Sequence, residues 1–175
     1  MSETPVLQGL APVIDESARL IVLGSFPGVT SLREQQYYGH PRNHFWPLLS
    51  AMWSIDLVSM LYADRLRELR AHGVGLWDVY ASCRRQGSLD SAIEEAVHND
   101  LPGLLSRAPG LRALAHNGGE SARSMAITRR LGLPVVRLPS TSPANASWSF
   151  DRKLAAWREV FGQYGVLARL DGARP

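Results

Sequence analysis

Ten residues, Tyr37-Tyr38-Gly39-His40-Pro41-Arg42-Asn43-His44-Phe45-Trp46, bring aromatic, imidazole, guanidinium and amide groups into one short segment. The aromatic face of a residue such as Tyr38 stacks on planar ligands, an arginine fork grips phosphate, and an asparagine amide holds a water or reads a polar edge. A buried aromatic cluster accounts for Phe45 and Trp46 equally well. It does not account for Arg42 and Asn43, which lie between a loop and a helix start, in the kind of segment where binding groups concentrate. His40 and His44 are four residues apart, but Gly39 and Pro41 argue against one shared helical turn. For both histidines, contact with phosphate or a leaving group and core packing stay open.

Three other segments carry unusual composition. The tight turn Gly24-Ser25-Phe26-Pro27-Gly28 follows an apolar run, Asn117-Gly118-Gly119 follows another, and Pro139-Ser140-Thr141-Ser142-Pro143-Ala144-Asn145 follows a third. Ser140, Thr141 and Ser142 can offer hydroxyls and backbone N–H groups to phosphate; a serine- and proline-rich loop without contacts has the same composition. Asn117 can donate and accept at once through its amide, or simply shape a turn before two glycines. Other chemistries find less support. Ser25 lacks a Gly-x-Ser-x-Gly elbow, and Gly24–Gly28 is neither a Gly-Lys-Ser/Thr phosphate loop nor a complete dinucleotide fingerprint. One cysteine and the lack of nearby acidic ligands speak against zinc, and no other metal or cofactor is implied.

Composition bounds the rest. The 175 residues, 45% hydrophobic, suit one α/β domain over 1–175, with 1–17 and 165–175 as peripheral termini. No run approaches the ~18 apolar residues of a membrane span, and the start of the chain lacks a secretory signal, so no membrane partner is expected. Cys83 is the sole cysteine, which fits a reducing cytoplasm. The net charge is +3 and Lys153 is the sole lysine, all other basic side chains being arginine. Arginine suits nucleic acid, while codon usage in a GC-rich genome explains the same bias; composition permits such a partner without establishing it.

These groups must be positioned by alternating elements. Arg19–Leu23, Gly75–Val79, Leu111–His116 and Pro134–Leu138 read as strands. Asn43 to Trp53 (with Asn43 as cap), Tyr62 to His72, Leu89 to Val97, Gly119 to Leu131 and Phe150 to Phe161 read as helices. Strands separated by helices give a mostly parallel sheet covered on both faces, which binds ligands outside the carboxyl ends of its strands. That rule selects the segments after the first, third and fourth strands.

Taken in order, Gly24–Gly28, Tyr37–Trp46, Leu76-Trp77-Asp78-Val79, Gly87-Ser88-Leu89-Asp90, Asn117-Gly118 and Leu138–Asn145 resemble the hypoxanthine-DNA glycosylase branch of the uracil-DNA glycosylase superfamily. The resemblance spans about Leu20 to Trp157. It implies a three-layer α/β/α sandwich with a central four-stranded sheet. The implied enzyme flips a deaminated base, hypoxanthine first and uracil second, out of double- or single-stranded DNA and hydrolyses its N-glycosidic bond. A monofunctional, metal-free monomer is expected. Phe26 stands where the superfamily usually has an acidic or amide residue, so the resemblance moves the water-orienting role to Asn43 and leaves the Phe26 ring to stack on the base. Asn117 matches the base-reading asparagine, and with Ser25, Phe26 and Tyr38 it makes the base-contacting set. His40, Arg42, His44, Ser140, Thr141, Ser142, Pro143 and Asn145 make the DNA-contacting set. Leu138 stands where some relatives carry a catalytic histidine. Phe26 and Leu138 together sustain an alternative, a catalytically silent nucleic-acid-binding or damage-sensing module. A lyase step needs an amine, and the chain offers only Lys153 and its N-terminus; Lys153, on the last helix, is expected away from the sheet-end segments, so an intact abasic site is the expected product.

Overall fold

Apolar runs with no polar face supply strands that must be covered on both sides. The computed structural model describes residues 3–172. A short strand β1 (Val6–Gln8) precedes β2 (Leu20–Gly24), which is buried along its whole length. Helices α1 (Val29–Glu34), α2 (Phe45–Trp53) and α3 (Tyr62–Ala71) lead to β3 (Val74–Asp78). Then come β4 (Tyr80–Arg84), β5 (Glu94–His98), α4 (Leu104–Arg107) and β6 (Ala113–Asn117). Two one-turn helices, α5 (Gly119–Ala122) and α6 (Met125–Thr128), precede β7 (Val135–Leu138), and α7 (Phe150–Gln163) follows it.

The central sheet has the order β3-β2-β6-β7 and every pair in it is parallel. Alternation along β2 serves two cores. Leu20 and Val22 pack with Phe45, Leu49, Leu69, Trp157 and Phe161 from α2, α3 and α7. Ile21 and Leu23 pack with Trp77, Leu104 and Leu114 on the other face. Helices thus flank a four-stranded parallel sheet, as expected. Leu10 and Val13 near one end and Val166 near the other are buried in the first core, and Val13 bridges to Leu76. Among the described residues, no helix is long and apolar enough to cross a membrane.

Three local expectations differ. Leu89–Val97 is not a helix: one 3₁₀ turn at Asp90–Ala92 leads into β5, an exposed strand pairing antiparallel with β4. With β1, these strands make a second sheet in the order β1-β4-β5, because the chain leaves the parallel sheet directly after Asp78. Gly119–Leu131 is not one helix but α5, α6 and a 3₁₀ turn at Arg129–Leu131. Its hydroxyls serve tertiary partners: Ser121 Oγ donates to the Leu23 carbonyl, while Ser124 and Thr128 meet the rings of His98 and His116. Finally, α2 starts at Phe45, with His44 at the N-cap position and no side-chain cap there. Asn43 still serves that first turn, since its Oδ1 accepts the Phe45 N–H at 2.9 Å.

Candidate active site

The chain runs outward from β2 to β3, then returns to the other side of β2 as β6, so the order reverses between β2 and β6. Connections diverge there and leave a crevice at the carboxyl ends. A cavity of about 760 Å³ occupies that position, lined by Gly24, Ser25, Tyr38, Asn43, Asn117 and Thr141 among others. Its size falls in the ordinary range for small-ligand sites.

Asn117 ends β6 and ties the walls together. Its Nδ2 donates to the Tyr38 hydroxyl oxygen (3.2 Å) and to Thr141 Oγ1 (3.0 Å), while its Oδ1 accepts the Thr141 N–H (3.0 Å). The Thr141 N–H fixes which end of the amide is oxygen. Both amide protons are therefore used inside the protein, and one carbonyl lone pair remains. Tyr38 has a left-handed backbone (φ 54°) and stacks on Phe45 with ring centroids 4.1 Å apart. Burial pushes its hydroxyl pKa well up, so it stays neutral. Asn43 also lines the cavity, one Oδ1 lone pair being taken by the Phe45 N–H.

The remaining expected residues divide. His40, Ser140, Ser142, Pro143 and Asn145 line the cavity; Arg42 is exposed beside it. The loop after β7 is braced from within: Ser140 Oγ accepts the Ser142 N–H and Asn145 Nδ2 donates to the Ser140 carbonyl. His44 turns away from the cavity. Its backbone N–H donates to the Thr141 carbonyl, and its Nδ1 accepts from Lys153 Nζ at 3.3 Å. The expectation that Lys153 lies far from the sheet-end segments is therefore corrected. Helix α7 crosses behind the motif and brings this lysine, 1% exposed, against it. Lys153 is not part of the cavity wall. Burial lowers its pKa, and burial together with the lysine charge lowers that of His44, which keeps the ring a neutral acceptor. Phe26 reaches the wall but is 6% exposed, its ring packed in the second core with the Arg85 guanidinium 5.3 Å from its centroid. Ser25 Oγ donates to Asp90 Oδ1 at 2.6 Å.

A model of the uracil DNA glycosylase superfamily matches residues 11–161. The chain belongs to this superfamily. Relatives named "Hypoxanthine DNA glycosylase" occur in Methanosarcina barkeri (40% identical over 154 residues, 88% of this chain and 97% of that one) and Methanosarcina acetivorans (37% over 156 residues, 89% and 98%). The fold also matches a solution NMR structure titled "putative Uracil DNA glycosylase" from Methanosarcina acetivorans. The TM-score is 0.83 at 36% identity, covering 91% of this chain and 99% of that one.

Within this superfamily fold, Asp78, Asp90, Arg137 and Trp148 also line the cavity, although none of them is among the site residues expected from the sequence. Asp78 had a signal, an acid closing an otherwise apolar run. The end of the second strand is not among the expected sheet-end segments because nothing in the sequence places it beside β2, where Asp78 pairs in register with Gly24. Asp90 lies in the segment expected to be a helix and stands instead on the 3₁₀ turn before β5. Arg137 and Trp148 carry no local signal distinguishing them from other arginines and tryptophans.

Proposed function

We propose that the protein is a monofunctional, metal-free DNA glycosylase that releases hypoxanthine from deoxyinosine, with uracil as the second substrate. The observation carrying this reading is the convergence of Tyr38, Asn43, Asn117 and the 139–145 loop on one cavity at the reversal point of the sheet. The names of the relatives at 37–40% identity support the base. A stacked duplex hides the glycosidic bond, so the nucleotide must be extruded into the cavity. Duplex DNA is the first form of the substrate, single strands are a second, and the protein acts as a monomer.

Breaking the C1′–N bond builds positive charge on the sugar and negative charge on the base, a process assisted by fixed dipoles more than by a strong nucleophile. The Asn43 carbonyl keeps one lone pair after accepting the Phe45 N–H and holds the attacking water with it. Asn117 presents its remaining carbonyl lone pair in a fixed orientation, suited to the ring N–H beside the carbonyl of hypoxanthine or uracil. Adenine has an unprotonated nitrogen there and is refused.

Labelled duplexes containing inosine, uracil or xanthine, treated with protein and then with alkali, test the reading. The wild type should leave abasic sites, fastest at inosine. Asn43→Ala should slow single-turnover release by about 10²–10³ while keeping duplex affinity. No abasic site at any of the bases would leave the silent binding module instead.

A further inference from the structure

Asp78 closes β3 directly beside Gly24 of β2, and both line the cavity. Its carboxyl group lies over Gly24, where any Cβ would collide with Oδ1. The residue is 5% exposed and its Oδ2 has no hydrogen-bond partner. An acid left unpaired in a low-dielectric wall prefers to be neutral. The titratable and charged groups facing it are Tyr37 and Tyr38 from the motif before α2, and Arg85 and Asp90 from the β4–β5 connection. Arg85 does not neutralise it: one guanidinium nitrogen donates to the Pro27 carbonyl and the group packs over Phe26. Burial first, then the charge of Asp90, pushes the Asp78 carboxyl up to about 7, against a smaller opposing pull from Arg85. The amide of Asn117, by contrast, has no proton left to give.

We propose that Asp78 is a further catalytic residue, a neutral acid that donates its proton to N7 of the departing purine and so favours purine over pyrimidine release. This rests on the glycosylase reading above. As the C1′–N9 bond breaks, its electron pair enters the purine ring. The Asp78 proton bonds to N7, and the O–H pair stays behind as carboxylate. Water bonds to C1′ and gives one proton to solvent, and solvent returns one to Asp78. The balance is deoxyinosine plus water to hypoxanthine plus an abasic site. Departing uracil has no imidazole nitrogen to receive the proton, so this assistance is purine-specific.

The test compares single-turnover release from duplexes containing deoxyinosine, 7-deaza-2′-deoxyinosine or deoxyuridine, by wild type and Asp78→Asn, between about pH 5 and pH 9. The wild-type rate on deoxyinosine should fall as pH rises through neutrality. Asp78→Asn should be slower by about a hundredfold and lose that fall. The wild type should be comparably slow on the 7-deaza purine, and the substitution should add nothing there or on deoxyuridine. The proposal is overturned if 7-deazapurine is released as fast as hypoxanthine, if the wild-type rate rises with pH, or if Asp78→Asn matches wild type on deoxyinosine. Should the variant fold poorly, fast release of the 7-deazapurine by wild-type protein still overturns the proposal. Absence of abasic sites from every duplex would count against the glycosylase reading itself, a separate and visible result.

Discussion

At the scale of single residues, the cavity separates polar groups that are spent on architecture from those still open. Asn117 belongs largely to the first kind, since its amide joins the ends of three segments through Tyr38 and Thr141. Asn117→Ala removes all three bonds and should cost about 1–3 kcal/mol of stability. Asn117→Asp keeps an acceptor for the Thr141 N–H, and the two hydroxyls can turn to donate to the carboxylate. Thermal unfolding should therefore rank Ala below Asp, whereas on deoxyinosine the added charge should make Asp inactive as well; equal unfolding temperatures would deny the tie. Asp78 is of the second kind. Its carboxyl is raised from about 3.8 to about 7, so between those values the folded state holds a proton that the unfolded state has lost. Stability then falls as pH rises through that window, and the penalty is complete above about 7. Asp78→Asn removes it, so the melting temperature of the variant should gain on wild type from pH 5 to pH 8. A pH-independent difference would show that the carboxyl is not strained by charge.

At the scale of elements, α7 fastens the site from behind. Ser149 caps it by accepting the Arg152 N–H, Trp157 Nε1 donates to the Pro139 carbonyl, and Lys153 reaches His44. A lysine with a lowered pKa invites comparison with Schiff-base chemistry. Its place outside the cavity wall argues the other way, because the side chain is 1% exposed and is not among the groups that meet the cavity. Borohydride reduction during turnover should therefore trap no protein–DNA adduct in wild type; an adduct lost in Lys153→Met would reverse this. The strand ends on the other wall depend on a buried network. Ser121 Oγ spends its proton on the Leu23 carbonyl, so His116 must donate to it through Nδ1 and accept from Thr128 at Nε2. Burial holds that ring neutral, with a pKa near 4.

Over the whole molecule, a net charge of +3 is modest for a DNA-binding protein, so placement matters more than sum. Arg42 and Arg137 are both exposed at the cavity, Arg42 beside its mouth and Arg137 on its wall. If each meets one phosphate, Arg42→Ala and Arg137→Ala should each flatten the plot of log affinity against log salt by about one unit, uniformly across duplex sequences. Fluorescence anisotropy across a salt series reads this directly, and an unchanged slope would take the residue out of the phosphate track. Release at saturating protein should change little, because these side chains hold the strand rather than the base.

The parallel sheet was legible in the sequence because its strands are short apolar runs with no polar face, and helices such as Tyr62–Ala71 declare themselves through spacing and a closing glycine. The motif 37–46, Asn117 and the 139–145 loop stood out because their residue types are unusual where they occur. Local sequence could not fix β5, whose pairing with β4 is a non-local choice, nor the break between α5 and α6, where the Ser124 hydroxyl meets the His98 ring. Nor could it say which polar groups are already satisfied. Only the packed chain decides that the protons of Asn117 are used, that Lys153 stands behind His44, and that Asp78 lines the cavity with its Oδ2 buried and unpartnered. Hydrogen bonding and desolvation depend on neighbours distant in sequence, and residue type alone carries neither.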